Sequence, residues 1–166
     1  MKKVFLGAVR RNSSEHDIST AVRETVESAT DFAWLSKRDS VFIKPALNSG
    51  AKYPATTSPA GVKAMVALLK EKGAGRVVVG DMAGIEHLKL EPNKVKGSSR
   101  SLMEKCGMAK AALAAGAELH FFEEAGWNGF YEDYPAGVSH WSKGIMMPQI
   151  LKEMDHIILM PRCGRH

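Results

Sequence analysis

"SVFIKPALNSGAKYPATTSP", residues 40–59, contains the signals that set the architecture of this chain. The apolar run Val41 to Ile43 ends abruptly in Lys44-Pro45, and a polar, glycine-containing loop follows it. A short apolar run bounded by turn residues predicts a buried strand. Ser58 followed by Pro59 predicts the start of a helix, because serine caps helix amides and proline suits the first helical position. The stretch therefore predicts a strand, a loop and a helix in direct succession.

The same alternation continues along the chain. Five apolar runs are predicted strands: residues 4–9, 41–44, 77–80, 119–122 and 157–160. Helical patterns lie between them, beginning near Ser14, Ser58 and Ser101, and a shorter one covers residues 148–154. Strands that alternate with helices predict one α/β domain over residues 1–166. We expect a doubly wound, mostly parallel sheet of about five strands, with helices on both faces and long loops at the strand C-terminal edge.

Composition excludes several classes of protein. The net charge of +5 comes from lysines and arginines that are scattered among acidic residues, which argues against a nucleic-acid-binding face. No apolar stretch is long enough to span a membrane. The two cysteines, Cys106 and Cys163, are too few for a disulfide framework or a four-cysteine metal site. We therefore expect a cytoplasmic protein with no metal site and no cofactor in this chain, and with Cys106 buried in a helix stripe.

Ligands of such sheets bind outside the carboxyl ends of the strands. Cations and hydroxyls dominate three of the five predicted ends, which favours a small anionic ligand such as a phosphate or carboxylate. Lys44 ends one strand, and Thr56, Thr57 and Ser58 stand at a helix start, where free amides favour negative charge. The alternative is that Ser58 is only a helix cap and Lys44 a solvated strand end.

Asp81 ends another predicted strand and is followed by Gly84. An aspartate there could bind a ligand group, or it could cap the loop that it opens. Arg162 and His166 follow the last predicted strand and reach the same edge. Two connections, residues 82–100 and 123–146, are longer than a compact sheet needs. The second is rich in aromatic residues, and it predicts either an ordered flap over the strand ends or a subunit contact.

Three segments resemble the family known as domain of unknown function 362: Ile43-Lys44-Pro45-Ala46-Leu47, Thr56-Thr57-Ser58-Pro59 and Val78-Val79-Gly80-Asp81. The resemblance implies an α/β fold and a redox setting, since members often occur beside iron–sulfur ferredoxin modules. Any iron–sulfur cluster would lie on an associated domain or partner. The family pattern has asparagine at the position of Ala46, for which Asn48 is a substitute. At the other end of the chain, Arg162 and Gly164 replace the family's lysines, whereas Pro161 and His166 match.

Three functions stay open at this point. The chain could be an enzyme, or half of one, that binds an anionic small molecule; no catalytic residue can be assigned. It could be a non-catalytic module that works with a separate iron–sulfur protein, or a structural domain that forms a homo-oligomer. The last predicted strand lacks a covering helix after it, so we also expect the chain to be the amino-terminal part of a longer functional unit, with an exposed apolar edge. The alternative is a domain that is complete as it stands.

Overall fold

A four-stranded parallel sheet forms the centre of the computed structural model, which describes residues 3–10, 12–137 and 143–162. The sheet order is β5-β2-β1-β8, and two separate antiparallel hairpins pair β3 with β4 and β6 with β7. The strands are β1 (Ser40–Pro45), β2 (Arg76–Asp81), β3 (Lys89–Glu91), β4 (Lys94–Lys96), β5 (Glu118–Phe121), β6 (Phe130–Asp133), β7 (Ile145–Pro148) and β8 (His156–Met160). The helices are α1 (Glu15–Ala29), α2 (Pro59–Glu71), α3 (Ser99–Lys105) and α4 (Met108–Ala114).

The predicted strand, loop and helix at residues 40–71 are confirmed. β1 pairs in parallel with β2 on one side and with β8 on the other, and its apolar residues Val41, Phe42 and Ile43 are fully buried. Ser58 caps α2 by accepting a hydrogen bond from the Gly61 amide. Central parallel strands are covered on both faces, so their sequences are unbroken apolar runs. For this reason the sequence predicts these strands correctly. The α/β class with a parallel sheet is thereby established.

The two faces of the sheet are covered differently. All four helices contribute to one cluster, in which Val41, Ile43, Val77 and Val79 of the sheet are buried. On the opposite face, Phe42 and Val78 pack against Phe122, Ile150 and Met154, which belong to or adjoin short 3-10 turns. Cys106 lies in the helix-covered cluster, as its position in an apolar stripe predicts. Among the described residues, none of the helices is both long and apolar enough to traverse a bilayer.

The strand predicted at residues 4–9 is wrong. These residues are not in a strand, and Val4 and Leu6 are 84% and 93% exposed. Gly7 lies against α1, where a side chain would overlap Thr25. A run of β-forming residues becomes a strand only where a neighbouring strand completes its hydrogen bonds, and this segment lies along a helix instead.

Two predicted helices also differ from the structure. The helix expected from Ser101 to Gly116 is divided into α3 and α4, because Gly107 adopts a left-handed φ of 86° between them. The helix expected over residues 148–154 is a 3-10 turn at Gln149–Lys152. The two hairpins were not predicted. Both lie inside the long connections, β3–β4 in the first and β6–β7 mostly in the second.

Candidate functional site

Lys44 and Asp81 form an ion pair at the carboxyl edge of the sheet. β1 and β2 are hydrogen-bonded neighbours with Ile43 beside Val79, so the side chains that end the two strands meet. The Lys44 Nζ lies 2.7 Å from the Asp81 Oδ1. The Asp81 side chain is only 6% exposed, whereas that of Lys44 is 44% exposed. The pair therefore joins a buried carboxylate to a lysine whose side chain is partly exposed to solvent.

The Asp81 carboxylate is held by the backbone on both sides. Its Oδ2 accepts a hydrogen bond from the Leu47 amide at 3.0 Å, and its Oδ1 accepts one from the Met82 amide at 2.9 Å. Leu47 follows β1 and Met82 follows β2, so this carboxylate ties together the loops that leave two adjacent strands. Asp81 thus caps the loop that it opens, which is one of its two predicted roles; direct binding of a ligand group by Asp81 stays a prediction.

The direction in which Lys44 leaves β1 bears on its predicted place beside the start of α2. Successive residues of a strand point to opposite faces. Ile43 packs on the helix-covered face, and Phe42 packs on the opposite one. Lys44 leaves β1 on the same face as Phe42 and ends on Asp81. Its recorded contact is with Asp81, and its place beside the α2 amides stays a prediction.

The threonines before α2 use their hydroxyls on the backbone. Thr57 Oγ1 accepts a hydrogen bond from the Ala46 amide at 2.8 Å and donates one to the Met160 carbonyl at 2.6 Å. It thereby links the end of β1 to the end of β8. Thr56 Oγ1 donates to the Ala51 carbonyl at 3.1 Å, and Ser58 caps α2. All three hydroxyls hold the loop of residues 46–58 in place.

The remaining predicted residues lie around this edge. Asn48 and Gly84 are both exposed, and a Cβ on Gly84 would stand 3.6 Å from the Asn48 carbonyl oxygen. The loops after β1 and β2 are therefore in contact. Arg162 donates a hydrogen bond from Nη1 to the Pro54 carbonyl at 3.3 Å. His166 lies outside the described residues. The structure thus brings the loop residues together but leaves their ligand-binding role a prediction.

A pocket of about 450 Å³ opens directly beyond β2. It is built by the loop after β2, the β3–β4 hairpin, the 3-10 turn at Trp127 and the β6–β7 hairpin. Its lining residues are Met82, Ala83, Ile85, Leu88, Lys89, Leu90, Glu91, Trp127, Phe130 and Met146. None of them was predicted as a site residue, although Trp127 and Phe130 belong to the aromatic set that distinguishes the second connection. The signal available in the sequence was the length of the two connections. For residues 123–146 the two alternatives were an ordered flap and a subunit contact, and the residues of this connection that line the pocket agree with a flap.

A buried polar chain supports the floor of this pocket. Ser99 Oγ accepts a hydrogen bond from the Ala83 amide at 2.9 Å. The Ser99 amide in turn donates to the Glu123 Oε1 at 2.6 Å. Glu123 is 3% exposed, and its Oε2 has no hydrogen-bond partner among the described residues. These contacts fix the β2 loop to α3 and to the segment after β5.

Two titratable side chains at and after β5 have displaced pKa values. Burial lowers the pKa of His120, which packs near Phe42 and Phe122 on the Lys44 face of the sheet. The hydrogen bond from Arg100 lowers the pKa of Glu124, and the same arginine stacks 4.7 Å from the centre of the Phe121 ring. Among the described residues, no three His, Cys, Asp or Glu side chains cluster as a metal ion would need.

Comparison with known proteins gives one match. A family model described as "Domain of unknown function (DUF362)" matches residues 41–166. No curated protein and no solved structure matches the chain. The matched range begins at β1 and includes the Lys44–Asp81 pair, the threonine-rich loop and both hairpins.

Proposed function

Since the chain belongs to the DUF362 family, a domain family of unknown function, we propose a function from its geometry: it binds a small anion, a carboxylate or phosphate, through Lys44 at the carboxyl edge of the sheet. One observation carries this proposal. The Lys44 ammonium is held 2.7 Å from a buried carboxylate, and yet the Lys44 side chain is 44% exposed. A lysine that is already positioned loses less side-chain freedom when an anion binds it.

The topology supports the same place. The chain passes from β1 to β2 and then to β5 in one direction across the sheet, and it returns with β8 on the other side of β1. The carboxyl ends of β1 and β8 therefore flank a switch point, where parallel sheets of this kind bind their ligands. Lys44 pairs in register with Leu159 of β8. The proposed cation thus lies beside that switch point.

The charge arrangement defines what Lys44 can do. An ammonium has three N–H donors, and the contact with Asp81 occupies one of them. Within the part of the chain that the structure describes, the other two have no partner and can donate to ligand oxygens. Asp81 keeps its charge satisfied through two backbone amides as well as Lys44, so an incoming anion shares the ammonium without leaving a buried carboxylate unpaired.

Titration of the protein with inorganic phosphate and with acetate, followed by NMR, tests this function. Lys44→Met should weaken binding by about 1.5–3 kcal/mol, the scale of a hydrogen bond to a charged group. Lys63→Met is the matched control, because Lys63 is 40% exposed and is also paired with an acid, Glu15. Equal weakening by both variants would show that only net charge matters and would contradict the proposal, as would the absence of any shift with either anion.

A second candidate function, binding of a protein partner or a second copy, is favoured by one surface. Ile157 and Leu159 of β8 are 48% and 65% exposed, and they lie beside Phe42 and Lys44 on the face without α-helices. An exposed apolar patch of this kind marks an interaction site. Sedimentation velocity over a concentration series should then show association that Leu159→Gln reduces; a monomer at every concentration would count against it.

A further inference from the structure

The pocket beyond β2 has the character of a small-molecule site. Its volume of about 450 Å³ lies in the range of ligand pockets. Eight of its ten lining residues are apolar, and the other two, Lys89 and Glu91, carry opposite charges. The pocket itself therefore offers apolar contact and almost no net charge.

Three large apolar side chains of this pocket are exposed. Ile85 is 77%, Met146 is 45% and Trp127 is 41% exposed. Each comes from a different element, namely the loop after β2, β7 and the 3-10 turn after β5. Their convergence on one concavity distinguishes them from scattered surface residues, which need no explanation. A ligand with an apolar body would remove all three from water.

Met82 connects this pocket to the Lys44–Asp81 pair. Its side chain lines the pocket, while its amide donates to the Asp81 Oδ1, the same oxygen that contacts the Lys44 Nζ. Met82 and Phe130 pack against the cluster that contains Phe42, and Lys44 leaves the sheet on that face. The ammonium and the amide of a pocket-lining residue thus meet at one carboxylate oxygen.

We propose that the pocket and Lys44 form a single site for an amphipathic acid: a small molecule whose apolar, ring-bearing body fills the pocket and whose carboxylate or phosphate reaches Lys44. This inference rests on the proposed function for the acidic group, and it adds the class of the ligand. Trp127 and Phe130 offer aromatic surfaces that favour a ring, and Met82 and Met146 adapt to its edges. The volume admits a body of one or two fused rings and excludes a polymer.

The test uses three probes that separate the two parts of the site. 2-Naphthoate has a ring body and a carboxylate, 2-naphthalenemethanol has the body without the charge, and acetate has the charge without the body. Binding of each is measured by NMR chemical-shift titration of the whole chain. We expect naphthoate to bind most tightly, roughly tenfold tighter than the alcohol, the scale of one charged hydrogen bond.

Two substitutions at exposed positions complete the design. Ile85→Gln should weaken the naphthoate and the alcohol alike, by roughly tenfold, because both lose apolar contact, and it should leave acetate binding unchanged. Leu113→Gln is the matched control, since Leu113 is also a large aliphatic residue, is 55% exposed on α4 and lies outside the pocket lining. Lys44→Met should make the naphthoate bind no more tightly than the alcohol.

The outcomes separate the two claims. If acetate binds at Lys44 but neither naphthalene compound binds more tightly than acetate, the inference fails and the proposed function stands. If the naphthoate and the alcohol bind equally and Ile85→Gln weakens both, Lys44 is not part of the pocket site and the inference fails, whereas the proposed function is still decided by the acetate and phosphate titrations of Lys44→Met. Equal effects of Ile85→Gln and Leu113→Gln would overturn the pocket.

Discussion

Thr57 gives the sharpest test of what the polar residues of the loop do. Replacing Thr57 by valine keeps the shape of the side chain and removes its hydroxyl. That hydroxyl accepts from the Ala46 amide and donates to the Met160 carbonyl, and Thr57 is only 6% exposed. If it serves the fold, Thr57→Val must lower the free energy of unfolding.

The expected loss follows from the two partners that are left behind. Removing one member of a buried hydrogen bond costs about 1–3 kcal/mol for each group that stays unsatisfied. Ala46 and Met160 are both half-buried, so water can reach them in part and the lower end of that range applies. We therefore expect Thr57→Val to reduce the free energy of unfolding by roughly 2–4 kcal/mol.

Urea unfolding followed by circular dichroism measures this loss. With a denaturant slope of about 1–3 kcal/mol/M for a small protein, the midpoint should fall by at least roughly 0.7 M. Thr57→Ser is the control, because serine keeps both hydrogen bonds and loses only a methyl group, at a cost of about 1 kcal/mol. A Thr57→Val protein as stable as the serine variant would refute the structural role and restore the view of Thr57 as a ligand residue.

Three further predictions concern the sheet and its polar supports. Gly80→Ala should destabilise the fold by about 1–3 kcal/mol or more, because the added Cβ would overlap the His120 carbonyl oxygen. Gly61→Ala is the control and should be neutral or stabilising in thermal melts, because its Cβ would meet nothing closer than 3.6 Å. NMR titration should place the pKa of His120 below 6.5, because burial outweighs the nearby carboxylates. The stability that neutral His120 contributes is then complete above about pH 6.5 and is lost as the pH falls through the lowered folded-state pKa. A measured pKa at or above 6.5 would contradict this. Glu123→Gln should keep the bond from the Ser99 amide and full stability in urea, whereas Glu123→Ala should lose about 1–3 kcal/mol; equal losses would show that the charge itself is needed.

Sequence reasoning succeeded where a residue's neighbours along the chain determine its structure. The buried runs of β1 and β2 and the Ser58-Pro59 start of α2 are signals of this kind, and all were predicted. The segment at residues 4–9 has the same composition as a strand, but its state depends on whether another strand lies beside it. Composition contains no information about that partner, which is why the prediction failed.

The candidate site divides in the same way. The strand ends supplied Lys44 and Asp81 directly, because parallel strands deliver their final residues to one edge. The pocket residues come from hairpins within the long connections, whose positions depend on tertiary packing rather than on local pattern. Ile85, Trp127 and Met146 are separated by many residues in the chain and converge only in the fold. The length of the connections that contain them is unusual and can be recognised in the sequence. The cavity that these residues form cannot be recognised there.

Counting donors and acceptors separates the residues that hold this edge from the residue that can act at it. Thr57 uses its hydroxyl twice on backbone groups, and Asp81 accepts from two amides and one ammonium. Of these three, Lys44 is the residue that keeps donors without a partner among the residues that the structure describes. Thr57 and Asp81 are therefore positioning residues, and Lys44 is the member of the set that meets solvent. Because the buried pair sets the direction of the lysine, loss of Asp81 should disturb binding through geometry, and loss of Lys44 should disturb it through charge.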